Sequence, residues 1–144
     1  MEDTATFCVD ARENWNSDLR YGVIMISKDE GIVVGATGYP NIDWEVPKFE
    51  IGCWCRTTCV GQGYASEAIQ ALAMFAFDEK RAVRVELRMD DRNERSWRVA
   101  ERMGFELEGV LRGDARSNNG DIRNTRIYAM VDPSRLRHVD QHFA

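Results

Sequence analysis

The chain reads as α+β, or mixed α/β, built on a largely antiparallel sheet with one strand–helix–strand crossover in its middle. Three observations lead there. Short β-rich runs recur and alternate in polarity. One stretch, 64–80, keeps a helical period, with Ala65, Ala68, Ile69, Leu72, Phe75 and Ala76 on one stripe. Turn-forming residues separate most runs at short spacing, which favours hairpins over long crossovers.

In chain order, residues 9–19 are polar with scattered apolar side chains and are expected to form a short helix. Residues 21–26 and 32–36 are β-rich. The turn-forming set Ser27-Lys28-Asp29-Glu30-Gly31 lies between them, so they pair as a hairpin. Residues 40–47, bounded by Pro40 and Pro47, are expected to be a loop. Residues 49–55 alternate as a strand, with Phe49, Ile51, Cys53 and Cys55 on one face and Glu50, Gly52 and Trp54 on the other. Gly61-Gln62-Gly63 then precedes the 64–80 helix. Residues 82–89 form a strand with Val83, Val85, Leu87 and Met89 on one side. Residues 93–103 form a second, shorter helix with Trp97, Ala100 and Met103 inward, stopped by Gly104. Strands over 105–111 and 122–131 close the pattern, joined through the turn-rich 116–120.

Size and charge exclude several function classes. The chain has 144 residues and is 44% hydrophobic, enough for one domain over 1–144 with a real core. Its longest apolar run, 71–77, is far shorter than the roughly 20 residues that span a bilayer. Met1-Glu2-Asp3 opens no signal peptide, so a cytoplasmic location is expected. The net charge of −5 argues against a general nucleic-acid partner. That charge is uneven: residues 1–79 hold 5 basic and 13 acidic side chains, while 80–137 hold 14 basic and 10 acidic. An anion-facing and a cation-facing side follow from this asymmetry.

Cys8, Cys53, Cys55 and Cys59 are expected to be free thiols. The spacing of the last three invites a metal reading, but paired ligand spacings are lacking and both histidines, His138 and His142, lie at the C-terminal end. No metal is expected. No histidine is near enough in sequence to activate Cys53 or Cys55 as a nucleophile.

The chemistry resides in the strand–glycine-loop–helix unit. Glycines let the backbone approach a ligand, and the unpaired N–H groups that open a helix favour an anion. A dinucleotide fingerprint fails because position 66 is Ser, and a P-loop fails because no Lys follows Gly63.

Three blocks resemble the GNAT acyltransferases, specifically the RimJ/RimL type of ribosomal-protein N-terminal acetyltransferase. They are Phe49-Glu50-Ile51-Gly52-Cys53-Trp54-Cys55; Gly61-Gln62-Gly63-Tyr64-Ala65-Ser66-Glu67-Ala68; and 93–105 with Glu108-Gly109-Val110-Leu111-Arg112 after it. The resemblance implies a GNAT-type fold and acetyl-CoA as co-substrate. It implies direct transfer of the acetyl group to a primary amine, on a peptide or protein N-terminus or a small molecule. In the family's loop pattern, Q/R-x-x-G-x-G/A, Gly63 and Ala65 fill the last two fixed positions and Val60 stands where Gln or Arg is usual.

By the same resemblance, the backbone of Gly61, Gln62, Gly63, Tyr64, Ala65 and Ser66 would hold the pyrophosphate. Cys53, Trp54 and Cys55 would run beside the pantetheine arm, with a main-chain N–H there polarising the thioester carbonyl. Asn93 would bind the pantetheine and Arg102 a phosphate. Ala100 occupies the place of the tyrosine that protonates the leaving thiolate in many relatives, and Ser96 is the branch's substitute. Glu50 is the candidate base, because the acceptor amine must lose a proton before it attacks. The glycine loop comes some 40 residues earlier than the family pattern leads one to expect. The first strand and helix are therefore expected to be missing, and an open sheet edge would favour a homodimer. The alternative reading is a non-catalytic acyl-CoA-binding or interaction module.

Overall fold

The computed structural model describes residues 20–139. The expected helix over 9–19, and the question of a first strand and helix, lie outside these residues. Six strands and two helices follow one another: β1 Tyr21–Ile26, β2 Val33–Asp43, β3 Lys48–Cys55, α1 Tyr64–Asp78, β4 Arg84–Asp90, α2 Glu94–Arg102, β5 Glu106–Arg116 and β6 Ile122–Met130. The strands form one sheet in the order β1-β2-β3-β4-β6-β5. Every neighbouring pair is antiparallel except β3 and β4, which α1 connects as a parallel crossover. The expected fold class holds.

Alternation decides which face is buried. Phe49 and Ile51 of β3 are in register with Val85 and Leu87 of β4. Leu87 is in turn opposite Tyr128 of β6. These side chains share a single core with Ile69, Ala73, Ala76 and Phe77 of α1, Ala100 at the end of α2, and Met103 just after it. Both helices therefore cover one face. Two buried hydroxyls tie them down: Tyr39 donates to the Leu72 carbonyl and Tyr128 donates to Glu101 Oε1. The opposite face carries Glu50 beside Glu86, and Glu86 holds Arg84 and Arg88.

Three expectations need correction. Residues 40–43 belong to β2, and only 44–47 form a turn. A register shift between Gly38 and Asn41 takes up Pro40, so the proline bends the strand without ending it. The buried stripe of α1 runs through Ser66, Ile69, Ala73, Ala76 and Phe77, leaving Phe75 exposed under the Lys80 ammonium. The fifth strand continues to Arg116, well past 111, because its pairing with β6 resumes beyond a second irregularity.

Candidate functional site

β3 and β4 pair only from Lys48–Arg84 to Ile51–Leu87. Beyond that point β3 continues to Cys55 paired with β2 alone, while β4 continues to Asp90 paired with β6 alone. The two parallel strands thus splay, and a cavity of about 580 Å³ opens between them. Gly52, Cys53, Trp54 and Cys55 form one wall and Arg88 and Met89 the other. The β3 edge past Ile51 faces this gap and is free to pair with an extended ligand arm.

The glycine loop closes one end of the cavity. Gly61 and Gly63 take φ of +78° and +87°, where a side chain is strained. A Cβ built on either would meet nothing within 4 Å, so both backbones face open space. Gly63 also serves as the N-cap of α1, with no side chain capping it. The first intrahelical bond runs from Glu67 N to Gly63 O, so the N–H groups of Tyr64, Ala65 and Ser66 precede the ladder. Ser66 is buried, and its hydroxyl accepts a hydrogen bond from Arg102 Nη2 at 3.1 Å. This contact brings a guanidinium from α2 to the mouth of the loop. An open backbone cradle, a helix N-terminus and a fixed cation together fit a diphosphate.

On the far side, Asn93 and Ser96 both line the cavity. Asn93 is the N-cap of α2, and its Oδ1 accepts from Ser96 N at 3.3 Å. The cap uses the oxygen of the amide and leaves its NH₂ to donate elsewhere. Because Asn93 supplies the cap, the Ser96 hydroxyl is not spent on one. Ala100 is fully buried in the core. Arg98 also lines the cavity and is ion-paired with Glu94, one turn away.

Glu50 lies on the opposite face from Ser96 and does not line the cavity. Its Oε2 accepts from Asn41 Nδ2 at 2.6 Å. The lining draws on both faces of the sheet: Trp54 and Arg88 alternate to the open face, whereas Asn93 and Ser96 belong to the start of α2. A donor entering from the helix side and an acceptor entering from the open side would meet at the splay.

The thiols are poorly suited to nucleophilic work. Desolvation, and then the neighbouring Cys55 thiol, push Cys53 up to about 12. The residue as a whole is exposed, so the loss of water acts at its sulfur. Desolvation also raises Cys55. Among the described residues, no three His, Cys, Asp or Glu side chains come together as a metal site would require.

Reading the chain alone missed several contributors. Asn41 was hidden in a supposed loop. Alternation carried on from Gly38–Gly52 would have set Pro40 opposite Glu50, and the bulge puts Asn41 there instead. Arg88 and Cys59 line the cavity, but only because β4 turns away from β3 and because Thr57–Cys59 forms a 3-10 turn beneath the gap. A second cavity of about 800 Å³ lies across the glycine loop, with Lys28, Arg102, Arg137 and His138 at its wall and Gln62 facing it. The segment after β6 is brought there by Gln70, whose Oε1 accepts from Val139 N and whose Nε2 lies 3.2 Å from His138 Nδ1. Nothing in the local pattern around 137–139 announces this.

The family model "Acetyltransferase (GNAT) domain" matches residues 1–106. The chain belongs to the GNAT acetyltransferase family. Two relatives from bacilli are N-acetyltransferases by name, and the ribosomal name of the second supports the RimJ/RimL type. "Uncharacterized N-acetyltransferase p20" of Bacillus licheniformis is 33% identical over 112 residues, 78% of this chain and 61% of that protein. "Putative ribosomal N-acetyltransferase YdaF" of Bacillus subtilis (strain 168) is 35% identical over 102 residues, 71% of this chain and 55% of that protein. This GNAT chain thus spans less than two thirds of the length of either relative. Among solved structures, the ribosomal L7/L12 α-N-protein acetyltransferase RimL in complex with coenzyme A superposes with a TM-score of 0.81 at 22% identity. That match covers 90% of this chain and 71% of RimL and establishes a shared fold.

Proposed function

We propose that the protein is an N-acetyltransferase that moves an acetyl group from acetyl-CoA directly to a primary amine in a ternary complex. The observation that carries this reading is the splay of β3 from β4 beside an open glycine cradle. The cradle and Arg102 bind the diphosphate. The free edge of β3 and the Asn93 amide align the pantetheine. Glu50, directly or through a water, takes a proton from the acceptor ammonium. The amine attacks the thioester carbonyl, whose oxygen is polarised by a main-chain N–H at Cys53 or Trp54. The carbon–sulfur bond then breaks, the Ser96 hydroxyl donates a proton to the departing thiolate, and the second proton shed by the new amide nitrogen restores the serine. Much of the rate comes from alignment, because the thioester is already activated.

Names and charge support a peptide or protein N-terminus as acceptor: one relative's name includes a ribosomal N-acetyltransferase, and residues 1–79 carry the acidic excess. A homodimer through β1 or β5, the two outer strands of the sheet, belongs to the same proposal. The non-catalytic binding module remains the second reading, favoured by Ala100, which is buried and carries no hydroxyl.

A thermal-shift titration with acetyl-CoA, followed by thiol release with an amine panel, separates these readings. Ligand at 100 times its Kd adds about 2.7 kcal/mol, a rise of a few degrees for a domain of this size. Stabilisation without thiol release from any amine would favour the binding module, and no stabilisation would sink both readings. Ser96→Ala is expected to lower kcat about tenfold or more while leaving the acetyl-CoA midpoint in place. Unchanged turnover would remove Ser96 from the mechanism.

A further inference from the structure

The open face of the sheet carries an uncharged track that ends at the splay. Ile24 is in register with Ala36, and Ala36 with Trp54, so the three side chains stand in a row across β1, β2 and β3. Ile24 is 63% exposed and Trp54 62%, and Ala36 is exposed between them, so the three make one contiguous apolar strip. Trp54 is at once the inner end of this track and part of the cavity wall. Glu50 lies on the same face of β3, about 13 Å from Trp54 along an extended strand.

Gly52 stands between them with no side chain, floored by Pro40: a Cβ at Gly52 would lie 3.3 Å from the proline Cγ. The result is a slot with a carboxylate at one end and an indole at the other. It lies just past Ile51–Leu87, where the strands part. Asn41 fixes the carboxylate end.

We infer that Trp54 is the acceptor platform of this site and that the acceptor is a primary amine bearing an apolar substituent, aromatic or branched aliphatic. The inference rests on the transfer reading above. The ammonium faces Glu50 and the substituent lies against the indole, running on toward Ala36 and Ile24. A flat, exposed indole binds such groups at low entropic cost. A polyamine would place its further charges on a track that offers them no partner. The main chain at Trp54 serves the thioester side, so its side chain can be changed without altering the cradle.

The test uses the full chain with acetyl-CoA and three probes: phenethylamine, ethanolamine and spermidine. Phenethylamine is expected to exceed both others in kcat/KM by about tenfold or more. Trp54→Ala should collapse that ratio to about twofold, mainly through KM, and Trp54→Phe should keep most of it. Acetyl-CoA should still raise the Tm of both variants, since the glycine cradle is intact. A ratio unchanged in Trp54→Ala, or a preference for spermidine, overturns the inference. Calorimetric titration of phenethylamine into the coenzyme A-saturated protein reads the platform without turnover, with about fivefold weaker binding expected in Trp54→Ala. Binding that depends on Trp54 without thiol release would refute the transfer reading and sustain the platform. Equal release from all three amines would do the reverse.

Discussion

Gly63 shows how much one backbone conformation controls. Its φ of +87° is strained for any other residue by about 1–2 kcal/mol, and a side chain there would enter the open cradle. Gly63→Glu adds a carboxylate where a diphosphate is proposed to sit. The variant is expected to lose the acetyl-CoA-dependent rise in Tm entirely, and a retained rise would detach the loop from phosphate binding. Both glycines were legible in the sequence because no other residue suits such a turn. Glu50 was legible as a residue but not as a geometry. Its Asn41 partner depends on a β-bulge that long-range pairing creates.

Two elements shape the site, and each combines a local rule with a tertiary one. α2 starts at Asn93 because an asparagine side chain satisfies one of the orphan N–H groups of the first turn. Asn93→Ala should cost about 1 kcal/mol in denaturant unfolding and also weaken acetyl-CoA binding. Asn93→Asp restores the cap without the NH₂ donor. Recovered stability with affinity still reduced would identify the amide as a ligand contact, and recovery of both would reduce Asn93 to a cap. The strands β3 and β4 were each readable from alternation. Their parting after Ile51–Leu87 was not, since it depends on where the β3–β4 pairing stops while β3 stays paired with β2 and β4 with β6. Helix α1 was likewise readable in length, but its buried stripe turned toward Phe77 and away from Phe75. The sheet beneath it determined which side was covered.

For the whole molecule, many of the arginines of the basic part are ion-paired within that part. Arg84 is bidentate on Glu108 and also holds Glu86, Arg92 holds Asp90, and Arg126 holds Asp91. The acids in these pairs all lie within 80–137, so the excess of 14 basic over 10 acidic side chains stands, and Arg88, Arg95, Arg98 and Arg102 bring part of it to the cavity. These pairs have a consequence in acid. The Arg92 side chain, then its backbone N–H, lower Asp90 from its ordinary 3.8 to about 2. Glu108 is lowered mainly by Arg84, Asp132 by Ser134, and Asp43 by the Val46 N–H. Folding favours the charged form of each. Their contribution is present above the unfolded values, near 4, and is lost as the pH falls through the folded ones. All are at the surface, so each contributes modestly. The denaturant midpoint should stay flat from about pH 7 to 5 and drop between about 4 and 2. A drop beginning near pH 6 would point to other groups.

The sequence alone determined the kinds and order of the elements, the glycine cradle and the residue types that chemistry needs, because propensity, alternation and left-handed turns are local properties. Tertiary structure decided the rest. It brought Asn41 to Glu50, Arg102 to Ser66 and the 137–139 segment to the loop, and it opened the sheet between β3 and β4. These outcomes depend on which strand pairs with which and where a pairing stops. No window of neighbouring residues holds that information, because the partners lie far apart along the chain.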